Sequence, residues 1–335
     1  MKKYNIKKIL KYMLYVILGI IVILFVYFFV GFPKENPNVS WGVNFSQKHA
    51  QSLGIKDWKK AYTDILDEMG VRNLKIGTYW DYHEWKPGEY HFNELDWQIQ
   101  EAEKRNAEII LVIGMKTIGW PECHLPEWAK KLSKEDQQAS ILKYLEQMVL
   151  RYKDSKAIKY WQVENEPFFP FGECPWKDKA FLKKEIDLVR SLDPTRKIII
   201  SESGEFPLWF KAAKYGDIVG TTMYKKVWFN DLNSYITYPF PAVFYKRKAM
   251  LIKALFGKEV INVEFQAEPW GPALIYHLTL EEQKKSMDLE RFKKNIKFAR
   301  KTGIDEFYFW GAEWWYWMKE NQNQPEIWDE AKKLF

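Results

Sequence analysis

The chain has 335 residues, 47% hydrophobic and 28% charged, an ordinary globular balance with enough length to bury one large core. Its net charge of +7 includes five lysines ahead of residue 12; the remainder is nearly neutral, which removes any reason to expect nucleic-acid binding. Aromatic content is high, 17% with 17 Trp, which suits either a bulky core or faces that stack on sugars.

Residues 12–32 carry no charge and are dominated by Ile, Leu, Val and Phe. At about 1.5 Å per residue, a helix of this length reaches about 30 Å, the thickness of a bilayer's hydrocarbon core. Lys2, Lys3, Lys7, Lys8 and Lys11 precede it with no acidic residue among them. That asymmetry predicts a single-pass anchor in the cell membrane, with the N-terminus cytoplasmic and the rest extracytoplasmic. A cleaved signal peptide is the alternative, but the stretch ends in Val30-Gly31-Phe32-Pro33, without an Ala-x-Ala-like site. The expected organisation is an anchor over 1–32, a polar Pro/Asn-rich linker over 33–40 that lets a domain stand off the membrane, and a globular domain over 41–335.

Within that domain, short apolar runs alternate with helical patterns. The strand-like runs are Trp41–Phe45, Asn73–Gly77, Ile109–Gly114, Ile158–Val163, Lys197–Ser201, Ile218–Thr222, Val260–Val263 and Glu306–Trp310. Most are too apolar to have a wet face, as parallel strands covered on both sides require. Amphipathic segments lie between them at 58–69, 95–105, 135–152, 178–192, 242–255 and 281–302, and residues 326–335 close the chain. Eight strands alternating with helices predict an α/β fold, a single (β/α)8 TIM barrel preceded by one transmembrane helix. A doubly wound sheet would want a Gly-rich loop after the first strand, and Gly42-Val43-Asn44-Phe45-Ser46 is not one. Residues 223–240 form a long, aromatic connection, either a cleft wall or packing on the barrel rim.

Cys123 and Cys174 each follow a predicted strand and could meet at one face of the barrel. Outside the cell a disulfide is permitted; two free thiols are the alternative. A metal site at His124 lacks further ligands at a recognisable spacing. The five histidines show no His-x-His pair, so no metal and no cofactor are expected.

In such a barrel the active site forms at the C-terminal ends of the strands. Glu166 lies just past the fourth strand and Glu264 ends the seventh, on opposite sides of the mouth. Two facing carboxylates are the equipment for acid/base cleavage of a glycosidic bond. Glu164 and Glu268 are nearby competitors; Glu164 falls on the other strand face, and Glu268 lies four residues beyond Glu264.

Asn165-Glu166-Pro167 resembles the Asn-Glu-Pro signature of clan A glycoside hydrolases, the retaining (β/α)8 enzymes. Val263-Glu264-Phe265 is similar to the clan's seventh-strand nucleophile, Phe309-Trp310-Gly311 to its aromatic platform and Tyr224 to the tyrosine that orients the nucleophile. The resemblance runs from Trp41 to the end. It implies Glu166 as acid/base, Glu264 as nucleophile and Asn165 against the sugar 2-hydroxyl. Many members carry an Arg on the second strand that supports the nucleophile. Here Lys75 stands in that place, keeping the charge but losing the bidentate fork.

Physical reasons point the same way. Glu166 must be protonated at working pH, which burial and a nearby carboxylate favour. Glu264 must stay ionised to attack the anomeric carbon. Carboxyl groups about 5–5.5 Å apart give retention. Trp80, Trp120 and Trp310 are expected to contact sugar, as are Trp314 and Trp315 on the premise that they lie in loops at the mouth. The expected partners are a carbohydrate and, through the anchor, the membrane, with the chain a monomer. A catalytically inactive carbohydrate-binding barrel and a transglycosylase on the same framework are the other readings. Sugar and linkage remain open, because enzymes on this framework differ in their loops.

Overall fold

The computed structural model describes residues 6–335. Lys2 and Lys3 of the basic N-terminal cluster lie outside the described residues. The strands are β1 Ser40–Phe45, β2 Asn73–Gly77, β3 Glu108–Ile113, β4 Ile158–Val163, β5 Ile198–Glu202, β6 Ile218–Met223, β7 Lys226–Phe229, β8 Ser234–Thr237, β9 Glu259–Gln266 and β10 Glu306–Trp310. Eight of them close a parallel barrel in the order β1-β10-β9-β6-β5-β4-β3-β2. This is the TIM barrel that the alternating pattern predicts. β7 and β8 form a separate antiparallel hairpin inside the long aromatic connection.

Alternation along each strand builds two cores. On β3, Ile109, Leu111 and Ile113 face the helices, while Ile110 points into the lumen with Ile199, Ile218, Ile261, Val263 and Tyr308. Both faces are apolar, as strands buried on two sides require. One turn higher, the inward residues become polar: Asn44, Lys75, Gln162 and Ser201, all buried. The lumen is therefore oily at its base and charged at its mouth.

The seventh barrel strand, β9, departs from strict alternation. Its register with β6 shifts between Thr221 and Thr222, so that Thr221 pairs with Asn262 but Thr222 with Glu264. Such a bulge re-aims side chains. Val263 and Glu264 both point inward, where regular alternation would turn Glu264 outward. Asn44 of β1 stabilises this irregularity, its Nδ2 donating to the carbonyls of Val263 (3.1 Å), Tyr308 (3.3 Å) and Phe309 (3.2 Å).

Three elements differ from expectation. The helix predicted over 281–302 is two helices, Leu280–Lys284 and Leu289–Ala299, because Asp288 caps a fresh start by accepting from Arg291 N at 2.7 Å. The Trp-rich stretch after β10 is the helix Ala312–Gln322, not a loop. The segment before β1 lies along the barrel: Asn36 donates through its backbone to the Arg300 carbonyl (2.7 Å) and through Nδ2 to Asp305 (2.8 Å). At the N-terminus, the helix Ile6–Phe29 contains a 22-residue span, Lys8–Phe29, long and apolar enough to cross a membrane or to serve as a signal sequence.

Candidate active site

The mouth of the barrel opens into a cavity of about 680 Å³. Glu166, Glu264, Tyr224, Trp120 and Trp310 line it, together with Glu122, His124, His49 and Glu268. β4 and β9, which carry the two candidate carboxylates, stand three places apart in the ring of eight.

The two glutamates have different surroundings. Glu264 receives the Lys75 ammonium on Oε1 at 2.8 Å and the Tyr224 hydroxyl on Oε2 at 2.9 Å. Both of its oxygens are thereby held by a donor. Glu166 has only a neutral partner on its carboxyl group, the Thr222 hydroxyl at 2.9 Å from Oε1. Burial and, next, the charge on Glu264 push its pKa up to about 7, against the opposing pull of Lys116.

The backbone that presents Glu166 is held from several sides. Glu164 and Glu166 both have left-handed φ, 59° and 44°, a conformation that side chains other than Gly adopt uncommonly. The Glu166 N–H donates to Ser201 Oγ at 2.8 Å, and Lys116 Nζ donates to the carbonyls of Glu166 and Phe169, both at 3.1 Å. Glu164 turns away from the cavity and accepts from the N–H groups of Met115 (2.8 Å) and Lys116 (2.7 Å). Gly114 leaves room for it, since a Cβ there would fall 2.3 Å from Glu164 Oε1. Asn165 sits between, its Oδ1 accepting from Gln162 Nε2 (2.9 Å) and Lys75 Nζ (3.3 Å).

Glu268 has other partners. Its Oε1 accepts from Trp310 Nε1 and its Oε2 bonds His49 Nε2, each at 2.8 Å. The His49 ring stacks on Trp310, centroids 5.7 Å apart. Burial disfavours the imidazolium, but the Glu268 carboxylate, aided by Glu313, outweighs it and raises the His49 pKa to about 9. Trp310, 9% exposed, is thus fixed as one wall of the cavity.

The tryptophans divide. Trp120 is half exposed at the mouth and packs on Phe171 at 5.9 Å. Trp80 is a correction: it is fully buried, packs on Trp128 and Tyr144, and donates to Glu84 at 2.6 Å. The residues after β2 curl into the short helix Trp80–His83, which turns the indole inward. Trp314 and Trp315 are likewise core residues of the helix Ala312–Gln322, their N–H groups bonded to Gln283 and to the Ala267 carbonyl.

Two site residues carry no motif. Glu122 is a further buried carboxyl group at the mouth, 3.4 Å from Asn165 Nδ2. Burial, then the charge on Glu264, hold its pKa well above the usual carboxylate range. Its neighbour Cys123 forms a disulfide with Cys174, Cα atoms 5.1 Å apart, tying the loop after β3 to the loop after β4. His49 is the other. Neither is flagged by local sequence, because each acquires its partner from an element far along the chain. His124 lies against Tyr79 (4.7 Å), with Nδ1 3.2 Å from Lys48 Nζ. Among the described residues, no cluster of His, Cys, Asp and Glu could hold a metal ion.

The closed (β/α)8 barrel together with a family match places the chain among the clan A glycoside hydrolases. The model of glycosyl hydrolase family 10 matches residues 49–225, more than half of the chain, and the chain belongs to that family. No curated protein matches the chain. Among solved structures, xylanase 10B from Thermotoga petrophila RKU-1 superposes with a TM-score of 0.57 at 15% identity, over 88% of this chain and 94% of that one. The β-galactosidase from the psychrophilic Marinomonas ef1 gives 0.54 at 14% identity, over 81% and 53%. The exo-β-1,4-mannosidase Op5Man5 from Opitutaceae bacterium strain TAV5 gives 0.57 at 12% identity, over 88% and 59%. This chain therefore spans about half the length of that β-galactosidase. At such identities the likeness is one of fold.

Proposed function

We propose that the protein is a retaining β-glycoside hydrolase, held on the outer face of the cell membrane by its N-terminal helix. The division of environments between the two carboxyl groups carries the reading. Glu264, beside a buried cation and a phenol hydroxyl, is suited to be the nucleophile. Glu166, poised at about 7, is suited to give and take a proton.

In the first step a Glu264 oxygen bonds to the anomeric carbon as the C–O bond to the leaving group breaks, and Glu166 delivers its proton to the departing oxygen. With Glu264 esterified, its charge is gone and Glu166 stays ionised. Glu166 then takes a proton from water, whose oxygen displaces Glu264. Lys75 and Tyr224 hold the nucleophile in position, and Trp310 and Trp120 offer faces to the sugar. The neighbours' names, xylanase, mannosidase and β-galactosidase, favour a β-linked substrate.

Trapping with 2-deoxy-2-fluoro β-glycosides of several sugars tests this. Peptide mapping should find the label on Glu264. Labelling of Glu268, or of nothing, would overturn the assignment.

A further inference from the structure

The last turn of the N-terminal helix is packed against the barrel. Phe28 and Phe29 lie on Phe244, at 5.9 and 5.3 Å between ring centroids, and Phe29 is 6.3 Å from Phe240. The Arg247 guanidinium sits over the Tyr27 ring at 4.9 Å. With Asn36 bonded to Arg300 and Asp305, the connection leaves no free spacer between this helix and β1.

The docking point adjoins the cavity. Phe240 also packs on Phe206 at 5.8 Å, and Phe206 on Tyr238 at 5.9 Å. Phe206 and Tyr238 line the cavity, and Phe206 is 68% exposed. Two ring-to-ring steps thus join the end of the apolar helix to the rim of the candidate active site.

On the other side of the docking point, the helix Ala242–Phe256 continues with Met250, Leu255 and Phe256 exposed. Phe256 packs on the exposed Phe210 at 5.7 Å. Lys211 and Lys214 of the short helix Phe210–Tyr215, and Lys253 of Ala242–Phe256, are exposed. Exposed apolar side chains mixed with basic ones suit the interface of an anionic bilayer.

We propose that this face rests on the membrane holding the N-terminal helix, so that the cavity opens at the lipid surface and its substrate is a glycan carried on a lipid of that membrane. The inference rests on the anchor and hydrolase readings above. A sugar head group in the same membrane is delivered to the rim at high effective concentration, whereas a free polymer must approach past the head groups.

The full-length protein in anionic proteoliposomes provides the test. A β-glycosyl diacylglycerol placed in the same vesicles should turn over at least ~10-fold faster than the same lipid in separate vesicles. A long Gly/Ser spacer inserted between Phe32 and Pro33 should cut that preference at least ~5-fold, with hydrolysis of a soluble aryl glycoside unchanged. Equal rates in the two arrangements, or no effect of the spacer, overturn the substrate class.

A second readout needs no turnover. Leu208 is exposed and lies between Phe206 and Phe210 in the chain, so a fluorophore at Leu208→Cys should be quenched by brominated lipid. One at Glu103→Cys, on the helix beside β3, the strand opposite β9 in the ring, should not. No difference between the two labels overturns the membrane-facing surface. Failure to hydrolyse any glycoside while Leu208→Cys is quenched removes the hydrolase reading, and the substrate class with it, but supports the surface.

Discussion

The ammonium of Lys75 lies 2.8 Å from Oε1 of Glu264, with both side chains almost wholly out of water. Breaking a buried pair by removing one partner costs about 3–5 kcal/mol, because the other charge is stranded. Lys75→Met should therefore lower kcat/KM by ~100-fold or more, since the Glu264 carboxylate loses the partner that holds it. Lys75→Arg should restore part of the rate. An unchanged kcat/KM in Lys75→Met would show that Lys75 does not support Glu264.

As the proposed acid/base, Glu166 should set the alkaline limit. Its pKa of about 7 means that activity on substrates with poor leaving groups should fall as pH rises through 7. Glu166→Gln should cost ~100- to 10,000-fold on such substrates and far less for glycosylation by activated aryl glycosides. Stability carries the matching sign. The folded pKa lies above the unfolded value, so the stability linked to this group is full below the ordinary glutamate value of 4.5 and is lost as pH rises through about 7. Thermal melts should show Glu166→Gln gaining on the parent between pH 5 and pH 8.

Glu268 is expected to position Trp310 rather than to react. Glu268→Gln should raise KM ~3- to 10-fold, the loss of one charge-assisted hydrogen bond, while fluoro-sugar labelling stays on Glu264. His49 should then titrate well below its present value of about 9, which NMR of the ring resonances would detect. A Glu268→Gln protein that cannot be labelled at all would reverse the roles of the two carboxylates.

The Cys123–Cys174 bond closes a separation of 51 residues. By chain entropy such a bond contributes about 2–4 kcal/mol. Reductant, or Cys174→Ser, should lower Tm accordingly. Because Glu122 adjoins Cys123 at the cavity, kcat/KM should drop at temperatures below Tm as well. Melts and initial rates with and without reductant separate the two effects.

The barrel was legible because its signal is periodic. Strands such as Asn73–Gly77 and Ile158–Val163 are bounded in the structure as alternation places them. The site was legible only where chemistry and strand end coincide, as at Glu166. Glu264 points into the lumen through a bulge that no local pattern announces. Trp80 lies buried because a four-residue helix reverses its direction, and Trp314 and Trp315 because the unbroken aromatic run Trp314–Trp317 of their helix has no readable period. His49 and Glu122 depend on partners from distant elements, Glu268 and Asn165, a kind of contact that sequence spacing does not encode.

Asn165 takes two donors on a single oxygen, Lys75 and Gln162, and this settles which way its amide faces. The NH2 end is turned toward Glu122, at the cavity. A group docking on Asn165 must then supply a lone pair, as a sugar hydroxyl does and a protonated amine does not. Lys75, a residue that never reaches the surface, thereby dictates which end of the Asn165 amide faces the cavity residue Glu122.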